Sequence, residues 1–548
     1  METEISRAAG RGGRPRIVIL GGGFAGVYAA LALEKALGAR DDYEIVLVSK
    51  ENYFVFQPML PEVISGSIGL TDVVSPLRRL LPRTQIHVRD VESVDLDQHV
   101  VVTAPGFLPH THRIHYDHLV LGLGNVTDFR GLPGLPEHAL PFKNLGDALN
   151  LRNHLIRALA EAAIEQHDAE LRRQLLTFVV AGGGFSGVEV VAELNDFVRG
   201  VASTYRIDPR EIRVVLLHSM ERILPEVAES LALFAQRLLI RRGVELRLKT
   251  RLAAATGSEA LLADGEHIPT RTLVSTVPSS PHPLIDALAL PKSKNGRLEV
   301  DGRLLVRSTS NVWALGDCAM VPLPGEGFAP PTAQHAIREA NVAAHNIVTS
   351  IRGGEPRTFA FKGLGKMGAL GHRSAVAEVA GVRISGFLAW WLWRTIYLMK
   401  MPGWGRRLKV ATSWTLDLFL PPELVNLRLG GSRGITREHF EAGQDIFKQG
   451  DVGDRLYIIL SGEAEVLRRT EAGDKQLAKL GAGQVFGEMA LVQQTARNAT
   501  VRCVQAMDVL SLPKQEFAAL AAHLPDLRKS FERLAEERSH EPEAAATT

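Results

Sequence analysis

An α/β chain with two parallel, doubly wound sheets follows from three observations. Residues 16–34 read RIVILGGGFAGVYAALALE and residues 177–195 read TFVVAGGGFSGVEVVAELN. Each is a short apolar run, then G-x-G-x-x-G, then an apolar run at helical spacing. Each is followed by a second apolar strand, EIVLVSK in the first case and RVVLLHS in the second. Gly21, Gly23 and Gly26 form the first fingerprint, and Gly182, Gly184 and Gly187 the second. The first glycine of each makes a tight turn. The second lets the backbone approach a pyrophosphate at a helix N-terminus, and the third lets the helix pack on its strand. Two fingerprints in strand–turn–helix context predict two bound dinucleotides, with electrons passing between them.

The remaining elements follow in order. Residues 1–13 form a short basic tail without the apolar core of a secretory signal, and disorder is expected there. After the first partner strand comes ENYFVFQPMLPEV, and YDHLVLGLGN reads as a further strand. DALNLRNHLIRALAEAAIEQ is helical, and TLVSTV, ending at Val277, is a strand. STSNVWALGDCA then places Asp317 just after an apolar strand. One dinucleotide domain is therefore interrupted by the other: 14–150 first part, 151–290 inserted domain, 291–350 second part. Residues 351–430 hold five of the six tryptophans, between Trp390 and Trp414, and Pro402-Gly403 divides this run into two helices. Residues 431–538 show short alternating strands, glycine turns and then helices, a separate α+β domain. The last ten residues, 539–548, form another expected disordered tail.

Composition narrows the function. A net charge of +2 over 548 residues gives no global case for nucleic-acid binding. The two cysteines, Cys318 and Cys503, form no C-x-x-C pair, which argues against a redox disulfide or a cysteine-rich metal site. No metal is expected. His110, His112, His115 and His118 cluster, but without matching ligands, and a solvated hairpin explains them better. Cys318 reads as a packing residue. No run of about 20 uncharged apolar residues predicts a transmembrane helix. The tryptophan segment carries Arg394, Lys400, Arg406, Arg407 and Lys409 with no acid before Asp417. This favours a helix lying on an anionic membrane surface, Trp390, Trp391 and Trp393 facing lipid, over a plain core.

The first 430 residues resemble the type II NADH dehydrogenases, single-subunit flavoproteins that pass electrons from NADH to quinone. The matching pieces, in order, are GGGFAG, NYFVFQPMLPEV, PFKNLGDALNLRNHLI, GGGFSGVEVVAEL, RILPEV, NVWALGDCA, PPTAQHAIREA and GALGHRSAVAEVAGVRISGFLAWWLWRTIYLM. The resemblance implies a glutathione-reductase-like pair of Rossmann-like domains, with FAD on the first fingerprint and NADH on the second. It implies that Asp317 reaches the FAD ribityl or pyrophosphate region and that Gln57 and Pro58 line the flavin ring. It places Gln334 near flavin and quinone, and Glu189 by the nicotinamide and the quinone pocket, orienting the one or relaying a proton to the other. The plain alternative for Glu189 is a solvated pair with Glu193, four residues on along the helix.

Four positions depart from that pattern. Ser49-Lys50 stand where an acid often meets the adenosine ribose, with Glu51 as a substitute. His218 stands where an acid meets the NAD ribose, which leaves NADPH open, although Glu221 is near. Arg338 replaces a glutamine, and Thr276-Val277-Pro278 replaces a smaller turn.

The C-terminal domain resembles the cyclic nucleotide-binding domains, an α+β β-roll. Residues 441–466 match its glycine-turned opening and residues 486–501, FGEMALVQQTARNATV, its phosphate-binding cassette. The resemblance implies that Gly487, Ala490 and Ala499 line the cassette, that Arg497 contacts the cyclic phosphate, and that Glu488 accepts the ribose hydroxyl. Asn498 leaves cAMP and cGMP both open. Too little chain follows the last strand for a helix-turn-helix, so DNA is not an expected partner.

The expected protein is a peripheral, non-pumping NAD(P)H:quinone oxidoreductase on the cytoplasmic side of the cell membrane. Its expected partners are quinone, the lipid surface and a regulatory cyclic nucleotide, with a homodimer left open. The linker at 426–436, NLRLGGSRGIT, and a terminal helix within PDLRKSFERLAEER are the expected coupling elements. The rival readings are a cyclic nucleotide or redox sensor with a drifted flavoprotein half, and a soluble NAD(P)H oxidase or diaphorase.

Overall fold

The computed structural model describes residues 14–38, 43–106, 111–129, 131–276, 280–325, 327–417, 423–426, 436–440, 442–470, 473–492, 496–514, 516–517, 529 and 533. Both tails, His110, Val277, Pro278, most of the 426–436 linker and nearly all of PDLRKSFERLAEER lie outside them. The chain divides into two compact units, Ala9–Val88 with Tyr116–Leu427, and Met1–Ala8 with Arg89–His115 and Arg428–Thr548.

The larger unit holds two five-stranded parallel sheets. In the first, Arg16–Leu20 is central, with Glu44–Ser49 and Gln85–Val88 on one side and His118–Leu121 and Val312–Ala314 on the other. In the second, Thr177–Ala181 is central, flanked by Arg213–Leu217 and Val244–Arg247 and by Thr272–Ser275 and Ala139–Pro141. Both central strands are buried along their whole length, as parallel strands covered by helices on two faces must be. Val312–Ala314 closes the first sheet only after the second is complete, which gives the interrupted arrangement its physical form. Ala139–Pro141 already runs in the second sheet, ahead of residue 150.

Each fingerprint helix starts directly after its glycine turn, at Phe24–Leu37 and Phe185–Val201. Helix Ala333–Arg352 packs along the first of them, with the short helix Glu62–Ser65 against the second. An antiparallel sheet of Gly365–Ala369, Ala375–Val379 and Val382–Gly386 leads into helices Phe387–Lys400 and Trp404–Leu416. The break between those helices falls at Met401-Pro402-Gly403, with Gly403 at φ +91°, the division that the Pro-Gly pair predicts.

In the smaller unit, two four-stranded antiparallel sheets form a β-roll. One runs Thr436–Phe440, Met507–Pro513, Arg455–Ser461, Val485–Phe486; the other runs Asp445–Phe447, Thr500–Cys503, Ala464–Thr470, Gly473–Leu480. Its core centres on Phe447, Tyr457 and Phe486, the last two stacked at 5.0 Å. Strands Val91–Asp95, Val100–Thr103 and His112–His115 make a separate three-stranded sheet.

Candidate functional site

The two glycine turns are built alike. Gly21 sits at φ +110°, where a Cβ would lie 2.3 Å from the Gly122 carbonyl oxygen. A Cβ at Gly26 would lie 1.9 Å from the Gly21 carbonyl, so this glycine serves helix-to-strand packing. Gly23 is different: it is exposed, and a Cβ there would meet nothing within 4 Å. The second turn repeats this. Gly182 is at φ +121°, a Cβ at Gly187 would lie 1.8 Å from the Gly182 carbonyl, and the nearest atom to one at Gly184 is 3.5 Å away. Neither helix has a side-chain cap at its N-terminus. Both turns thus offer uncapped N–H groups beside an open glycine, a cradle that fits the pyrophosphate of a dinucleotide.

Around the first cradle, Gln57 is exposed at the head of the turn Gln57–Met59 and Pro58 is half-buried beside it. Asp317 lies half-buried in the turn Gly316–Cys318, and the charge of Lys143 is near it. Burial lowers the Lys143 pKa while Asp317 opposes that shift. The N–H of Gly316 donates to Glu339 Oε2 at 2.7 Å, and burial pushes this carboxyl up to about 7. Lys50 and Glu51 are exposed just past the partner strand, whereas Ser49 is buried against Gly22.

Around the second cradle, His218 is buried and its Nδ1 accepts from the Gly183 N–H at 3.1 Å. An accepting Nδ1 requires the neutral imidazole, and burial lowers its pKa in that sense. The imidazole is therefore fastened to the glycine turn itself. Glu221, the nearby acid, pairs instead with Lys249 at 2.7 Å. Thr276 donates its hydroxyl to the Ala181 carbonyl and packs against Gly182 and Gly187.

Glu189 and Gln334 meet on one strand. The Ala369 N–H donates to Glu189 Oε1 at 3.0 Å, at one end of Gly365–Ala369. At the other end the Gln334 amide receives the Leu364 N–H at 3.0 Å and donates to the Gly365 carbonyl at 3.2 Å. Gly368, between them, packs on Phe185. Arg338 donates to the Gln334 carbonyl at 2.9 Å and lies 3.9 Å over the Phe361 ring, an integrated position for a departing residue.

The solvated-pair alternative for Glu189 and Glu193 is overturned by burial. Glu193 is buried, and the Glu189 carboxyl is enclosed although the residue keeps partial exposure. Desolvation is the first cause that pushes each up to about 8, and the charge of Glu62 adds to both. Sequence reasoning missed Glu62. It is buried, accepts from Trp414 Nε1 at 2.7 Å, and pairs with Arg394 at 3.4 Å. The Arg394 guanidinium lies between Trp390 and Trp414, at 4.2 and 4.5 Å from their rings. Tyr397, near Glu189, is raised by burial.

The tryptophan helices correct one expectation. Trp390 and Trp393 are buried, and of that trio only Trp391 is exposed. Trp390 and Trp391 lie about 100° apart round the helix, so packing rather than composition selects the outer face. Phe387, Leu388, Trp391, Met399, Trp404, Leu408 and Leu416 make the exposed apolar set, with Trp404 at 83%. Lys400 and Lys409 are exposed beside them, whereas Arg394 turns inward and Arg406 reaches Thr71 and Asp72. No helix among the described residues is long and apolar enough to cross a membrane.

In the β-roll, Gly487 at φ +83° precedes the short helix Glu488–Val492. Glu488 and Ala490 are buried, and Ala499 is half-buried. Arg497 is buried, and its two Nη groups donate to the carbonyls of Gly487 and Arg455, both at 2.6 Å. Its guanidinium lies 4.0 Å over the Phe447 ring, and its Nε has no hydrogen-bond partner among the described residues. The arginine is thus held on the backbone of Gly487 in the cassette and of Arg455 outside it, with unused donor capacity at Nε.

Among the described residues no group of histidine, cysteine or acid residues could hold a metal ion. Cys318 donates to the carbonyls of Leu121 and Leu315, and burial pushes its thiol up to about 12, far from a reactive thiolate.

Comparison with known proteins agrees with this geometry. Residues 15–340 match the pyridine nucleotide-disulphide oxidoreductase family, 364–420 the NDH2 C-terminal domain, and 437–523 the cyclic nucleotide-binding domain. A demethylphylloquinone reductase of Synechocystis is 32% identical over 406 residues, covering 73% of this chain and 96% of its own. A type II NADH:quinone oxidoreductase of Mycobacterium tuberculosis is 32% identical over 425 residues, 74% of this chain and 87% of its own. Among solved structures, NDH2 of Plasmodium falciparum in complex with NADH shares the fold, with a TM-score of 0.71 at 18% identity over 75% of this chain and 100% of that one. The chain therefore belongs to the pyridine nucleotide-disulphide oxidoreductase family, as a type II NADH:quinone oxidoreductase with an added C-terminal cyclic nucleotide-binding domain.

Proposed function

We propose that the protein is an FAD-dependent NAD(P)H:quinone oxidoreductase that works at a membrane surface without pumping protons and is regulated by a cyclic nucleotide. The observation that carries the reading is the grip on strand Gly365–Ala369, one side chain coming from each dinucleotide domain, Glu189 and Gln334. FAD, when bound, would supply the two-electron redox chemistry between nicotinamide and quinone. Gly21, Gly23 and Gly26, with Asp317, Gln57 and Pro58, would hold that cofactor, and Lys50 or Glu51 would serve its outer ribose. Gly182, Gly184 and Gly187 hold the nicotinamide nucleotide. His218 shapes the turn and leaves the choice between NADH and NADPH to the groups beyond it. Glu189 gives a proton to the quinone oxygen as it is reduced, and Gln334 orients the strand that borders both.

The exposed apolar set with Lys400 and Lys409 supports peripheral attachment to an anionic lipid surface. The buried Arg497, with cassette residues Gly487, Glu488, Ala490 and Ala499, supports cyclic nucleotide binding. Fitting His218 and Arg338 into local packing favours a working enzyme over a drifted sensor. The test is steady-state turnover of NADH and NADPH with a soluble quinone analogue, with and without cAMP or cGMP. Anaerobic flavin bleaching without quinone turnover would leave the oxidase reading. Binding of cyclic nucleotide with no kinetic change would leave the sensor.

A further inference from the structure

Glu189, Glu193 and Asp196 are spaced i, i+4, i+7 on helix Phe185–Val201 and so lie on one face. The middle member is buried and the two outer ones are partly exposed. Asp196 marks the outer end: its Oδ2 accepts from the N–H of His372, an exposed residue, at 2.6 Å and pairs with Arg242 at 3.2 Å. At the inner end Glu189 faces Tyr397 and the Ala369 N–H. A row that starts at the enclosed Glu189, is buried at Glu193 and ends beside the exposed His372 has the form of a conduit.

The groups facing the row come from five other elements. Helix Glu62–Ser65 brings Glu62, whose charge reaches both Glu189 and Glu193, and the Ser65 hydroxyl, which lies near Glu193 and donates to the Glu62 carbonyl at 3.1 Å. Helix Phe387–Lys400 brings Arg394 and Tyr397, and Asp417 follows the next helix. Arg242 follows helix Glu229–Arg241, and the turn after Gly365–Ala369 brings His372 and Arg373. One guanidinium, Arg394, thus serves the enclosed carboxyls of Glu62 and Glu193, and it also faces Asp417. Unpaired carboxylates in such a setting are costly, and burial pushes Glu189 and Glu193 each up to about 8, which favours their protonated forms at neutral pH.

We propose that Glu193 and Asp196 are a proton relay that resupplies Glu189 from solvent at His372, with the Glu62–Arg394 pair as the fixed countercharge beside it. This rests on the quinone reductase reading. The overall reaction is NADH + H⁺ + quinone → NAD⁺ + quinol. The hydride brings two electrons and one hydrogen nucleus, and one proton comes from solvent. The Glu189 O–H bond breaks as the quinol O–H bond forms. Glu193 then gives its proton to Glu189 and regains one through Asp196. Cβ atoms four residues apart on a helix are about 6 Å apart, a gap closed by two carboxyl arms or one bridging water. Glu193 touches no substrate and is a positioning and relay residue.

The experiment compares wild type, Glu193→Gln, Glu193→Asp and Asp196→Asn as flavin-loaded full chains. Infrared spectra across a pH titration should show protonated-carboxyl absorption that persists to about pH 8 and that loses the Glu193 share in Glu193→Gln while keeping that of Glu189. Glu193→Gln should slow flavin oxidation by quinone about tenfold or more, the low side of general acid–base contributions, while slowing flavin reduction by NADH far less. Glu193→Asp should recover part of the loss, and Asp196→Asn should shift the pH profile of quinone reduction. No carboxyl band at Glu193, or quinone kinetics unchanged in folded Glu193→Gln, overturns the relay. A wild type that bleaches with NADH yet reduces no quinone overturns the underlying reading instead.

Discussion

At the scale of single residues, the glycines divide by what surrounds them. The missing Cβ of Gly26 makes room for the Gly21 carbonyl, whereas that of Gly23 faces open space. Gly23→Val is therefore expected to fold with near-normal melting temperature but to lose flavin absorbance per chain, and Gly26→Ala to lose melting temperature first. A flavin-loaded Gly23→Val protein would contradict the cradle. Arg497→Ala should abolish cyclic nucleotide binding by calorimetry, and Arg497→Lys should restore little, because a point charge lacks the planar fork that holds two carbonyls and a phosphate. These residues were legible in the sequence because each sits in a short contiguous motif. Glu62 and Arg394 were not: 332 positions separate them, and only packing makes them a pair.

At the scale of elements, the helix Phe185–Val201 carries two carboxyls whose pKa values rise from the ordinary 4.5 to about 8. The folded state therefore holds protons that the unfolded chain releases above about pH 4.5. The stability this gives is fully present below that pH and is lost as pH rises through about 8. Melting temperature should fall from pH 5 towards about pH 8, and fall less in Glu193→Gln; an identical slope in the variant would contradict the assignment. The aromatic helices divide in the same concrete way. Trp391→Ser with Trp404→Ser should weaken binding to anionic vesicles without changing the melting temperature, since both rings are exposed. Trp393→Ala should instead cost about 3–5 kcal/mol of stability, the range for emptying a large buried site. The sequence announced the aromatic, basic character of this segment and its break at Pro402-Gly403. It did not reveal the outward face, because adjacent tryptophans point to different sides of a helix.

At the scale of the whole molecule, the order of domains was readable from repeated motifs and changes of texture, and the interruption from the position of Asp317. The interruption also bears on how the chain acquires its structure during synthesis. Trp313 meets His118 across 195 positions, and its strand forms the outer edge of the first parallel sheet. A nascent chain that has emerged only to residue 300 holds His118–Leu121 as an open edge, with backbone donors and acceptors that invite pairing with another chain. The inserted domain has all five of its strands by then and can fold on the ribosome. The domain that begins at the N-terminus is thus the later of the two to finish, and the interval between them is a window for chaperone capture.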